Sequence, residues 1–299
     1  MATIKAVVTD LDNTLYDWVD YYVPSFLAMV EELSRLTGLD VEALKAAFKR
    51  IHEKHRTTEY SFAVEELDVL RPFNEGLSQK QILQKYETAI RAFRQVRKRS
   101  LTLYPGVERT LENLRNRGIT IAAATEAMSF HAIYRLKQLG IEDYFAAIVC
   151  PPDHGLPTGL TYEDVRFYDD PSKYETSISL VVHPPRNVRK PDPQFLETLL
   201  VEMSLRPEEV LYVGDSITKD ILLARRSGTY DALAEYGRHI QPEKFAELLK
   251  ITYWTEEDLL LEGRLKGEAV TPRFTLTKAD DIITVVDSIQ RCYARTISR

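Results

Sequence analysis

Short apolar runs alternate with longer stretches of helical spacing along this chain. The first run, Ile4 to Val8, is β-branched and only a few residues long. It predicts a strand buried on both faces, as in a parallel sheet. From Asp17 to Ser100 the period changes. Phe26, Met29, Val30, Leu33 and Leu36 recur at helical spacing, and Gly38 stands where a helix would stop. Asp40 can cap a second helix carrying Leu44, Phe48 and Ile51. After a polar stretch, His55 to Ser61, the pair Ser78 and Gln81 forms a capping box. It predicts a third helix with Ile82, Tyr86, Ala89, Ile90 and Phe93 on one stripe.

Strands and helices alternate beyond residue 100. Pro105 and Gly106 open a helix with Leu111 and Leu114 that ends at Gly118. Ile119 to Ala124 is a second strand, closing on Thr125 and Glu126. A helix with Ile133, Leu136 and Leu139 stops at Gly140, and Ala146 to Val149 is a third strand. Pro151 to Arg189, rich in Pro, Asp, Tyr and Ser, reads as an insertion with a hairpin around Ile178 to Val182. A helix with Phe195, Leu196, Leu199, Leu200 and Met203 leads to a fourth strand, Val210 to Val213. Thr229 to Leu233 is a fifth strand, and Phe245 to Leu249 and Ile282 to Ile289 are helical. This rhythm implies right-handed crossovers and a parallel sheet covered on both faces.

Composition narrows the function. The chain has 299 residues, 44% hydrophobic and 28% charged, with net charge −6. A general nucleic-acid or membrane-surface binder would need a basic face instead. Two cysteines, Cys150 and Cys292, give neither a disulfide framework nor a metal-ligand spacing, which fits a reducing cytoplasm. The start MATIKAVV lacks the signature of a signal peptide, and no apolar run is long enough to cross a bilayer.

The candidate chemistry lies at strand ends, where open α/β sheets bind ligands. Asp10 and Asp12 follow the first strand, with alternate side chains pointing the same way. Thr14 adds a hydroxyl and Asn13 suits a turn. Thr125 follows the second strand and Asp215 the fourth, with Asp220 soon after. Lys190 precedes the helix that leads into the fourth strand. If these segments converge, one crevice holds carboxylates, a hydroxyl and an ammonium. An all-oxygen donor set favours a hard cation, for which Mg²⁺ is the natural choice. Such a site suits phosphoryl transfer.

D-L-D-N-T at Asp10 to Thr14, A-A-A-T at Ala122 to Thr125, K-P-D-P at Lys190 to Pro193 and G-D-S-I-T-K-D at Gly214 to Asp220 resemble four ordered motifs. They are those of the haloacid dehalogenase-like hydrolase superfamily. The resemblance implies a Rossmann-like α/β core at 1–16 and 101–299, with the insertion at about 151–189, and an all-helical cap domain at 17–100. It implies Asp10 as nucleophile, Asp12 as general acid and base, and Thr125 and Lys190 as holders of the phosphoryl oxygens. Mg²⁺ would be carried by Asp10, the backbone carbonyl of Asp12, and Asp215, with Asp220 orienting Lys190 or a metal-bound water. Asn13, Thr14, Glu126, Arg56 and Tyr60 are the substrate-binding candidates. Glu126 departs from the pattern, since Asn often follows the motif threonine.

The expected activity is hydrolysis of a small phosphomonoester, with no nucleic-acid polymer or membrane partner. The D-L-D-N-T-L-Y run resembles pyrimidine 5′-nucleotidases, and the helical cap is shared with phosphoglycolate phosphatase-like enzymes. A sugar-phosphate mutase and a catalytically idle binding protein are the rivals. His52 and His55, three apart on a helix, lack a third ligand nearby and read as a solvated face.

Overall fold

The computed structural model describes residues 3–156, 160–161, 175–185, 187–254 and 270–297. A parallel sheet of seven strands forms its centre, in the order β4-β3-β2-β1-β5-β6-β7. These are β1 (Ala6–Thr9), β2 (Thr120–Ala124), β3 (Ala147–Val149), β4 (Leu180–Val182), β5 (Val210–Gly214), β6 (Tyr230–Ala234) and β7 (Phe274–Leu276). The strand order reverses at β1, which pairs with both β2 and β5.

Alternation along the strands divides the core. Ala6 and Val8 of β1, Ala122 and Ala124 of β2, and Val210 and Tyr212 of β5 pack on one side with Phe195, Leu196 and Leu199. Those last residues belong to helix α8 (Gln194–Glu202). Val7, Ile121, Ala123, Leu211 and Val213 join the larger cluster on the other side. It includes Leu111 and Leu114 of α6 (Val107–Asn116), Leu136 of α7 (Ser129–Gln138) and Val286 of α11 (Asp281–Ile297). Strands buried on both faces explain why the runs read as apolar rather than alternating.

Residues 17–100 are helical, as the spacing predicts. Helix α1 (Trp18–Thr37) starts where Asp17 accepts from the Asp20 amide at 2.8 Å and ends at Gly38, whose φ is 72°. Asp40 caps α2 (Val41–His55), accepting from the Ala43 amide at 3.0 Å. Each such cap is worth about 1 kcal/mol. The short α3 (Ala63–Glu66) follows. Both bonds of the Ser78–Gln81 capping box form at the start of α4 (Gln79–Lys85). The expected third helix is in fact two, because the chain breaks at Tyr86 before α5 (Glu87–Ser100).

The two crossings between sheet and helical segment run side by side. Tyr16 bridges Leu103 in antiparallel fashion, and the Tyr104 amide donates to the Leu15 carbonyl at 2.9 Å.

Some expectations change. Among the described residues the hairpin around Ile178 to Val182 is absent; β4 pairs parallel with β3 instead. The expected insertion at 151–189 lies partly outside the described residues. Strand β7 follows a Pro-containing stretch and carries just two apolar residues, too short a pattern to announce itself. Helix α10 (Pro242–Ile251) packs against α1 and α2, with Leu248 and Ile251 fully buried. Lys45 meets Glu247 at 2.6 Å and Lys244 meets Asp20 at 2.6 Å across that contact. His52 is buried, not solvated, and its Nδ1 donates to the Ile251 carbonyl. Among the described residues no helix is long and apolar enough to cross a membrane.

Candidate active site

The C-terminal ends of β2, β1 and β5 lie side by side, which brings distant residues together. The Asp10 amide still donates to the Val213 carbonyl at 2.8 Å, so the end of β1 is fixed against β5. Lys190 Nζ donates to Asp10 Oδ1 at 2.6 Å and to Asp220 Oδ1 at 2.7 Å. Tyr212 from β5 donates to the same Asp220 oxygen at 3.1 Å, while the Ser216 amide donates to Oδ2 at 3.1 Å. Asp220 sits on a single π-helical turn, Ile217–Ile221, ahead of α9 (Leu222–Arg226). A Cβ on Gly214 would lie 2.3 Å from the Asp220 carboxyl carbon, so glycine makes room for that carboxylate.

Oxygens of Asp10, Asp215 and Asp220 lie within 4.8 Å of one another. Three carboxylates around one ammonium leave an excess of negative charge. Burial pushes the Asp10 carboxyl up to about 7 against the pull of Lys190, with Asp220 and Asp12 adding to the rise. Burial also works against the Lys190 ammonium, but Asp10 and Asp220 hold it well above the usual lysine range. The hard oxygen donors and this charge excess fit a divalent cation. The Asp12 side chain is outside the group of three.

Asp12 faces another way. Its Oδ1 accepts from the Tyr16 hydroxyl at 2.7 Å and from Arg135 Nη1 at 2.8 Å. Arg135 is fully buried, and its Nη2 donates to Glu59 from the loop after α2. Burial raises the Asp12 carboxyl above its ordinary range; Arg135 opposes the rise and Glu59 adds to it. A carboxyl raised in this way holds its proton more firmly than a solvated one, the direction that general-acid work needs.

The remaining expected residues are scattered. The Thr125 amide donates to the Val149 carbonyl, and its Oγ1 accepts from the Ala127 amide at 3.1 Å. Glu126 accepts from Lys219 at 2.7 Å, so its charge is balanced locally. Burial would raise the Glu126 carboxyl, but Lys219, Lys190 and Arg189 outweigh that and lower it. Asn13, with φ of 55°, accepts from the Trp18 amide at 3.0 Å and so braces the start of α1. Thr14 is fully buried, and its carbonyl accepts from the Tyr236 hydroxyl at 2.8 Å. A Cβ on Gly237 would fall 1.6 Å from the Asn13 carbonyl oxygen. Arg56 is the exposed left-handed cap of α2. Tyr60 lines a cavity among the helices, and its hydroxyl donates to Glu66 at 2.6 Å.

Arg135, Glu59, Lys219 and Gly237 escaped the reading of the sequence. Arg135 left one signal: Ala132, Arg135, Leu136 and Leu139 share a helix face, so a cation interrupts an apolar stripe. Glu59 lies in a polar loop with nothing to distinguish it.

The comparisons agree with this geometry. The description "haloacid dehalogenase-like hydrolase" matches residues 4–228. A phosphoglycolate phosphatase of Agrobacterium fabrum is 30% identical over 232 residues, covering 77% of this chain and 80% of that protein. A glyceraldehyde 3-phosphate phosphatase of Methanopyrus kandleri is 24% identical over 241 residues, covering 79% and 86%. The fold is similar to a 2-haloacid dehalogenase structure from Pseudomonas syringae, with TM-score 0.58, 17% identity, and 96% and 99% of the two chains covered. The family match spans both the first strand and the Gly214 to Asp220 motif. The chain belongs to the haloacid dehalogenase-like hydrolases.

Proposed function

We propose that this hydrolase is a cytoplasmic, Mg²⁺-dependent phosphatase acting on a small phosphomonoester through an aspartyl phosphate on Asp10. The observation that carries the reading is the division of labour between two carboxylates. Asp10 is held by Lys190 beside Asp215 and Asp220, whereas Asp12 is turned to Arg135 and Tyr16. A nucleophile and a separate acid are what an ester with a poor leaving group requires.

An oxygen of Asp10 attacks phosphorus, and the bond from phosphorus to the ester oxygen breaks. Asp12 gives its proton to that oxygen, so the alcohol leaves neutral. Asp12 then takes a proton from water as it attacks the aspartyl phosphate, which releases phosphate and regenerates Asp10. Thr125 and Lys190 hold the phosphoryl oxygens throughout. Asp10, Asp215 and the Asp12 carbonyl would hold Mg²⁺, which supplies charge neutralisation to the phosphoryl group. Asp220 keeps Lys190 in place.

Residues 17–100 act in this reading as the cap domain over a core of 1–16 and 101–299, with the paired crossings at Tyr16 and Leu103 as the joint. The relatives named as phosphoglycolate and glyceraldehyde 3-phosphate phosphatases favour a small organic phosphate over a nucleoside 5′-monophosphate as substrate. Phosphate release from a panel of phosphorylated metabolites, with and without Mg²⁺ after metal stripping, tests the reading. Turnover that depends on Mg²⁺ supports it. Full turnover in excess chelator contradicts it.

A further inference from the structure

A partly open cavity of about 200 Å³ lies between the helical segment and Met128, Phe130 and His154 of the core, and of the expected site residues Tyr60 lines it. Phe26 and Met29 of α1, Phe48 of α2, Phe62, and Ile90 and Phe93 of α5 contribute its apolar wall. Such a volume matters on a physical scale: a cavity of roughly 150 Å³ lined by Leu, Ile and Phe admits benzene. Apolar side chains that face such a cavity lack packing partners on one side, and an apolar ligand seated there supplies the dispersion contacts.

The cavity also has an address. Glu59 lies in its wall, and the guanidinium that holds Glu59 also holds Asp12. The cavity wall is thus joined through a single guanidinium to the acid that would protonate a leaving group. His131, whose Nε2 meets the Glu59 carbonyl at 3.2 Å, shares that wall. Burial and then the nearby Arg135 and Arg97 guanidiniums lower the His131 imidazole to about 3, so it adds no charge to the cavity at neutral pH.

We propose that the leaving group of the substrate carries an apolar body, about the size of one substituted aromatic ring, and that this body occupies the cavity between α1, α2 and α5. The proposal rests on the phosphatase reading of the Asp10 site and names the substrate class for it. A small anionic leaving group such as glycolate would leave the ring-lined volume empty and gain nothing from it. An arylalkyl alcohol would fill it.

The test compares phenethyl phosphate, methyl phosphate and phosphoglycolate as substrates of the full chain. For the wild type, kcat/KM for phenethyl phosphate should exceed that for phosphoglycolate by about tenfold or more, the scale of discrimination an apolar pocket supplies. Ile90→Trp fills the space, so the ratio of kcat/KM for phenethyl to methyl phosphate should fall about tenfold. If the Trp variant fails to fold by circular dichroism, Leu83→Phe, which narrows the same wall, replaces it. A wild-type preference for phosphoglycolate, or an unchanged ratio in the filled variant, overturns the proposal. Binding of phenethyl alcohol is read separately, as a rise in unfolding temperature. A rise in the wild type that the filled variant lacks supports the cavity even if no ester is turned over, which would instead sink the phosphatase reading. No rise in the wild type overturns the cavity assignment.

Discussion

Arg135 donates one guanidinium nitrogen to Asp12 and another to Glu59, and it does so with no solvent exposure of its side chain. The link joins the loop after β1 to the loop after α2. A buried cation bonded to two carboxyl groups keeps both in fixed positions, and removing it leaves both without their partner in the interior. Arg135→Met should therefore cost roughly 3–5 kcal/mol of stability. Urea unfolding checks this, and a loss below about 1 kcal/mol would show that the link is not built as described.

Glu59→Gln is a milder probe of the same link. The amide can still accept from Arg135 but no longer repels charge on Asp12. Burial raises the Asp12 carboxyl first, and Glu59 adds to the rise. Without that anion the carboxyl ionises at lower pH, so the alkaline fall of kcat should move to lower pH. A pH–rate profile with an alkyl phosphate reads the shift, and movement to higher pH would contradict the arrangement.

Two glycines set the loops of the site by what they lack. A Cβ on Gly214 would meet the Asp220 side chain at 2.3 Å, and one on Gly237 would meet the Asn13 carbonyl at 1.6 Å. Neither contact can be tolerated without movement. Gly214→Ala should displace Asp220 and with it Lys190, lowering kcat strongly while the sheet survives. Gly237→Ala meets backbone rather than a movable carboxylate, so it should cost more stability than Gly214→Ala. Thermal unfolding of the pair checks the order; the reverse order would be inconsistent with these contacts.

His52 gives a prediction in acid. Burial lowers its imidazole to about 4, with the Ile251 carbonyl pulling the other way. In the unfolded chain it titrates near 6.5. Between those values the unfolded state binds the extra proton and the folded state does not. The contribution is thus fully present above about 6.5 and is lost as pH falls towards 4, by about 3 kcal/mol over the window. His52→Gln should flatten that dependence, measured as the difference between variant and wild-type unfolding curves from pH 4 to 7. Equal slopes would mean that His52 is not buried neutral against α10.

Much of this molecule is legible in the sequence. The strands that carry Asp10, Thr125 and Asp215 are buried on both faces, so their apolar runs stand out. The residues at their ends are the polar exceptions, and the motifs name them directly. What stays hidden depends on contacts between distant segments. Nothing near Arg135 announces that its partners are Asp12 and Glu59, and nothing near Gly237 announces the carbonyl of Asn13. Strand β4 reads as half of a hairpin because its pairing with β3 comes from tertiary placement. Asn13 reads as a ligand-facing residue, yet its carboxamide serves the backbone of α1.

Asp12→Asn separates acid catalysis from the rest of the site. The carboxamide keeps the shape but cannot give or take the proton. Turnover of an alkyl phosphate should fall about a hundred- to ten-thousand-fold, and less for an activated aryl phosphate, whose leaving group needs little protonation. Unchanged rates on alkyl phosphates would remove Asp12 from the mechanism.

The central claim is that Asp10 takes the phosphoryl group. Acid-quenching the enzyme during turnover of its best phosphomonoester, followed by mass analysis of the peptide that begins the chain, measures this directly. The account predicts a phosphoryl group on Asp10 that disappears on longer incubation and is absent from Asp10→Asn. Phosphorylation of another residue, or steady turnover by Asp10→Asn, would contradict it.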